Sequence, residues 1–98
     1  MKITLEIDTA DLEWEDNACL SVTQPSKNLV EIVGNQPGLI TLARHILSCA
    51  YDNDNNFPYI HYEPEFTTDN GYWYGDLEKG SLELFIAKID KDGRKLKN

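Results

Sequence analysis

Ninety-eight residues suffice for one domain with one modest core, and 41% hydrophobic against 27% charged side chains exclude a disordered chain. The formal net charge is −8, and because Lys91, Arg94, Lys95 and Lys97 face only Asp92 in the last eight residues, about −11 falls on the preceding ninety. Such a body repels nucleic-acid phosphates and anionic membranes, and it draws a basic protein partner, faster at low salt. Length and charge distribution, with the order of elements along the chain, predict one α+β domain over residues 1–90 and a flexible basic tail over 91–98.

From the N-terminus, Lys2 to Asp8 alternates, with Ile3, Leu5 and Ile7 on one side and Thr4, Glu6 and Asp8 on the other. That pattern predicts a half-buried strand. The early acid is unlike a signal peptide, and no apolar run reaches membrane-span length, so a cytoplasmic protein is expected. Thr9 to Asn17 is an acid-rich connection holding Leu12 and Trp14. Ala18–Gln24 and Leu29–Val33 read as strands. The short Pro25-Ser26-Lys27-Asn28 turn between them predicts an antiparallel hairpin. Cys19 and Cys49 form no metal motif and are read as reduced thiols.

Gly34 to Tyr51 is the strongly helical stretch. Leu39, Leu42, Ala43, Ile46, Leu47 and Ala50 form one apolar stripe, with Thr41, Arg44, Ser48 and, less squarely, His45 opposite. Asn35 is placed to cap the first turn, Pro37 suits it, and the Asp52–Asn56 run ends the helix. Pro58–Glu63 predicts a short strand, Tyr72–Tyr74 a further hairpin strand, and Leu82–Ile89 a strongly apolar, covered last strand.

The economical architecture has two layers, in the order βββαββ: a mainly antiparallel sheet of five to six strands with the one amphipathic helix on one face. Ile3, Leu5, Ile7, Leu20, Val22, Val30, Ile32, Ile60, Leu84 and Ile86 would meet the helix stripe. The other face would stay open, presenting Thr4, Glu6, Cys19, Ser21, Thr23, Glu31, His61 and Glu83.

Signals for catalysis are weak. Gly71–Gly75 lacks the lysine and the following helix of a phosphate loop. Asp52, Asp54, Asn56 and Glu63 have calcium-loop spacing, but Phe57 stands where the sharp turn requires glycine. No catalytic residue, cofactor or metal site is therefore predicted. The most unusual local composition is aromatic: Tyr72, Trp73 and Tyr74, with Phe66 and Tyr59. In one reading they finish the core over a sheet edge. In the other they anchor a partner inside an acidic rim of Glu63, Glu65, Asp69, Asp76 and Glu78, with His61 beside it.

Three ordered segments carry a resemblance. They are Gly34-Asn35-x-x-Gly38-Leu39-x-x-Leu42-Ala43-x-x-Ile46-Leu47, then Ile60-His61-Tyr62-Glu63-Pro64, then Leu77-Glu78-x-Gly80-Ser81-x-Glu83-Leu84-x-Ile86. In this order the sequence resembles the immunity protein 32 family, small bacterial proteins encoded beside polymorphic toxins. The resemblance spans about Leu29 to Ile89, and the stretch Glu65–Asp76 is longer than the family pattern. It implies a non-catalytic inhibitor that binds a cognate toxin, with a basic nuclease-like target as the electrostatic match. The interface expected from the residues is Tyr72, Trp73, Tyr74, Glu63, Glu65, Asp69, Asp76 and His61. The alternative function is a small adaptor or regulatory domain, homodimeric through an exposed strand edge.

Overall fold

The computed structural model describes residues 1–54, 58–67 and 73–89, with the backbone alone for Thr67, Trp73 and Tyr74. Its elements are β1 (Leu20–Ser26), β2 (Leu29–Gly34), α1 (Gln36–Tyr51), β3 (Tyr59–Tyr62), β4 (Phe66–Thr67), β5 (Trp73–Tyr74) and β6 (Leu84–Ala87).

The β1–β2 hairpin is antiparallel as the short turn requires, with Val22 opposite Ile32 and Leu20 opposite Gly34. The chain then enters the helix through Asn35. Its side-chain oxygen accepts from Gly38 N–H at 2.8 Å and from Cys19 N–H at 3.0 Å, and its amide donates to Asn17 O at 2.8 Å. The cap therefore also ties the helix start to the strand start. Gly38 is required there because a Cβ would overlap the Cys19 carbonyl. At the other end Lys88 Nζ donates to the helix-terminal carbonyls of Ala50 and Asp52, at 3.0 and 3.2 Å.

The sheet departs from the expected five to six strands. Two principal antiparallel sheets of two strands each, β1–β2 and β3–β6, are accompanied by a separate two-residue β4–β5 ladder. The reason lies at the second edge of β1. A loop occupies it: Glu78 N–H donates to Leu20 O at 2.8 Å, Leu82 N–H to Val22 O at 2.7 Å, and Ser81 Oγ accepts from Val22 N–H at 3.2 Å. Those bonds satisfy β1 without a third strand.

Lys2–Asp8 is likewise not a strand. No ladder partner reaches it among the described residues, Ile3 is 72% exposed, and Leu5 and Ile7 are half-buried. The residues that follow Ile7 cross the helix as irregular chain. Ser48 Oγ donates to Asp8 O at 3.1 Å, and Thr41 Oγ1 accepts from Glu15 N–H at 3.1 Å.

This crossing turns the helix away from the orientation its apolar stripe predicts. Gly38, Thr41, Leu42, His45, Ser48 and Cys49 are buried, whereas Leu39, Ile46 and Ala50 are exposed. Residues 38, 41, 45, 48 and 52 also repeat at helical spacing. Their small or hydrogen-bonding side chains fit a surface made of bare backbone. The core holds Leu20, Val22, Leu42, Cys49, Ile60, Tyr62 and Leu77, with Leu12, Trp14, Leu84 and Ile86 packed against it. Val30 and Ile32, expected inside, are exposed on β2. Cys19 and Cys49 are both free thiols, the first exposed and the second buried. Residues 91–98, expected as a tail, lie outside the described residues.

If Thr41 holds the Glu15 amide, Thr41→Val keeps the shape and strands a donor. We expect a loss of about 1–3 kcal/mol in urea unfolding, against less than about 0.5 kcal/mol for Thr23→Val on the hairpin.

Candidate functional site: an aromatic and acidic face beside a buried histidine

β3 and β6 pair with Tyr59 opposite Ala87, His61 opposite Phe85 and Tyr62 opposite Leu84. Alternation sends Ile60 and Tyr62 into the core and leaves Tyr59, His61 and Glu63 on the outer face with Glu83 and Phe85. Tyr59 and Phe85 stack at 5.2 Å between centroids, with 42% and 51% of their surfaces exposed. His61 stands edge-on to Phe85 at 5.9 Å. Its Nδ1 lies 3.9 Å from Glu63 Oε1 and its Nε2 lies 3.6 Å from Glu83 Oε1. The result is an exposed, stacked aromatic patch with carboxylates at one end.

Of the residues expected at an interface, His61, Glu63, Glu65 and Asp76 are brought together. Glu63 O accepts from Asp76 N–H at 2.9 Å and from Leu77 N–H at 3.0 Å, and Glu65 N–H donates to Leu77 O at 2.8 Å. Partial burial, with the Glu63 charge, raises the Asp76 carboxyl above its ordinary range, and the nearby His45 opposes that rise. Trp73 and Tyr74 pair by backbone with Thr67 and Phe66. Asp69 and Tyr72 lie outside the described residues. Gly75, at φ +103°, brings this returning chain against the Pro64 carbonyl, where a Cβ would not fit.

Phe85 is the residue that sequence reasoning missed. The expected covered strand Leu82–Ile89 instead exposes Leu82, Glu83, Phe85 and Ile89. Its signal was parity: Phe85 shares a face with charged Glu83, two residues away.

Beneath the face lies a second cluster. His45 is 2% exposed and its ring lies nearly parallel to Tyr62, with Trp14 edge-on to both. His45 Nε2–H donates to Glu13 O at 2.7 Å, which leaves Nδ1 to accept from the Tyr62 hydroxyl at 2.6 Å. Burial lowers the His45 pKa and raises that of the Tyr62 phenol. A depression of about 280 Å³ opens over this cluster, reaching from Leu12 and Trp14 to Tyr59, His61 and Asp76.

The arrangement suits binding better than chemistry. Both His45 nitrogens are engaged, so it has no lone pair for a substrate. The Cys19 thiol is held above its usual pKa by its hydrogen bond to Glu78, the reverse of an activated nucleophile. Ligand atoms of His61, Glu63 and Glu83 lie within 4.8 Å of one another. All three are exposed, and exposed acidic groups commonly gather without a metal. No helix among the described residues is long and apolar enough to cross a membrane.

Fold and face together define a small α+β protein that exposes a stacked aromatic patch with an acidic margin. The chain belongs to the immunity protein 32 family, whose model matches residues 30–89. The match begins inside β2 and runs through β6, and so takes in the helix and the whole aromatic face. Comparison with curated proteins and with solved structures returned no match.

The buried neutral His45 makes stability depend on pH. Its folded pKa lies below the unfolded value of about 6.5, so the unfolded chain binds the extra proton first. The stabilisation is complete above that value and is lost as pH falls below it. Asp76 acts oppositely at lower pH, its raised folded pKa favouring the native state as the carboxyl protonates. Urea unfolding between pH 8 and 5 is expected to show the midpoint falling below about pH 6.5. His45→Gln should flatten that fall.

Proposed function

We propose that the protein is an immunity protein that binds a cognate bacterial toxin domain in the cytoplasm and neutralises it by steric and electrostatic blocking. It uses no cofactor and catalyses nothing. The observation that carries the reading is family membership joined to an exposed, stacked Tyr59–Phe85 pair flanked by Glu63 and Glu83. Large side chains pre-packed against each other lose little conformational freedom on binding, which makes them efficient anchors.

The charge supports a basic target. With a net charge of −8 and acids at Glu63, Glu65, Glu83 and Asp76, this side steers a cationic domain into contact. Nucleic-acid-cleaving domains carry such positive surfaces to hold phosphates, so a nuclease-like toxin is the expected partner. The Tyr72–Tyr74 run and Asp69 extend the same interface in this proposal. Their place in a segment longer than the family pattern suits a feature fitted to one particular toxin.

The test is co-expression of this protein with the toxin domain encoded immediately upstream. Growth restored only by this protein would support immunity, and a toxic domain that it does not rescue would refute the pairing. Within a confirmed pair, Phe85→Ala should weaken binding by at least about 2 kcal/mol, with Trp73→Ala a second anchor to test. Joint Glu63→Lys and Glu83→Lys should slow association and flatten its salt dependence. Unchanged affinity in Phe85→Ala, with an intact circular dichroism spectrum, would move the interface elsewhere.

A further inference from the structure

The outer edge of β2 is aliphatic and exposed. Leu29, Val30, Ile32 and Val33 are between 42% and 59% exposed, and Glu31 is the strand's single charge. Asn35 N–H donates to Cys19 O, which sets the phase of the ladder. By alternation Val33 and Glu31 turn their backbone groups toward β1, and Gly34, Ile32 and Val30 turn theirs outward. Among the described residues nothing pairs with them. The even-numbered side also meets the helix: a Cβ on Gly34 would stand 3.3 Å from Leu39 Cδ2, and Leu39 is itself 46% exposed. Soluble proteins ordinarily protect such an edge with lysine, proline or a bulge; β2 has no lysine or proline, and the register irregularity of the hairpin lies on β1, between Thr23 and Ser26.

We propose that this edge is closed by β2 of a second copy of the chain, antiparallel about a twofold axis through Ile32. The choice of occupant follows from charge and register. A cationic toxin is drawn to the acid-rich side, whereas this apolar edge has a single charge and can pair with its own copy without setting Glu31 against Glu31. Centring on Ile32 places it opposite Ile32 of the second copy, Val30 opposite Gly34, and Glu31 opposite Val33. Centring one residue earlier would oppose two Glu31 carboxylates, which is unfavourable. An axis through Ile32 stands normal to the sheet, so both helices lie on one side and the exposed Leu39 side chains flank the seam. The inference does not depend on toxin binding, because Tyr59 and Phe85 belong to the other principal sheet.

The first test is sedimentation of the full chain from about 5 to 500 µM. A concentration-dependent dimer is expected. Because both copies are acidic, raising salt from about 0.05 to 0.5 M should tighten it by roughly threefold or more, the reverse of binding to a basic partner. Ile32→Lys should be monomeric with an unchanged circular dichroism spectrum.

The register is tested by Ile32→Cys in a Cys19→Ser background. Hydrogen-bonded antiparallel partners stand about 5.5 Å apart between Cα atoms, within disulfide reach. Air oxidation should cross-link this variant and leave Glu31→Cys, turned to the other face opposite Val33, largely monomeric. A monomer throughout the concentration range would overturn the proposal, as would equal cross-linking of the two cysteine variants. Should Ile32→Lys fail to fold, the wild-type sedimentation and the cross-linking pair still decide the question.

Discussion

The structure depends on a helix that gives its hydrogen-bonding face to an irregular chain. Asp8 to Glu15 crosses α1 without a ladder of its own, and its backbone groups still need partners. Thr41, His45 and Ser48 provide them, one per helical turn. His45 then passes the constraint on. With Nε2 committed to Glu13 O, its Nδ1 is left as acceptor for Tyr62, and the Tyr62 ring fills the core under β3. One polar line on the helix therefore places both the N-terminal segment and the strand that carries the aromatic face.

The same economy explains why the sheet divides. A β-strand needs its backbone groups satisfied, not a neighbouring strand as such. Glu78 to Leu82 bonds β1 as loop, held by the buried Ser81 hydroxyl and a left-handed Gly80 at φ +88°. The chain then leaves that edge and forms β6 against β3. Each principal sheet keeps an outer surface of its own: an aliphatic edge on β2, and an aromatic and acidic face on β3–β6. A single continuous sheet under one helix would have merged them.

What was legible in the sequence was whatever local chemistry decides. Asn35 as cap, Pro37 in the first turn, the β1–β2 hairpin and the open position of His61 and Glu83 follow from turn chemistry and alternation. What was not legible was decided by distant partners. Thr41, His45 and Ser48 look like a solvated face until an unpaired chain segment is laid on them, and nothing local announces that segment. The alternation of Ile3, Leu5 and Ile7 is real, but a strand exists only where a ladder partner is available. Of the expected interface, Glu63, Glu65 and Asp76 are joined by backbone pairing around Leu77, and His61 stands beside Glu63 from β3, which no spacing rule could supply. Phe85 could have been placed from its parity with Glu83, had the apolar run not suggested burial on both faces.

The two exposed surfaces differ in the force that would draw a partner. On the β3–β6 side, the carboxylates act over a Debye length and can orient a cationic domain before contact, and the stacked rings supply short-range energy afterwards. On β2 a single charge does little at long range, so association must rest on backbone pairing and apolar contact. Long-range steering suits an inhibitor that must find its toxin quickly at low abundance. Short-range edge pairing suits a partner already present at high local concentration, as copies of one small protein are when newly made together. Keeping the two surfaces on separate sheets would let either change without disturbing the Trp14–His45–Tyr62 cluster that joins the helix to β3.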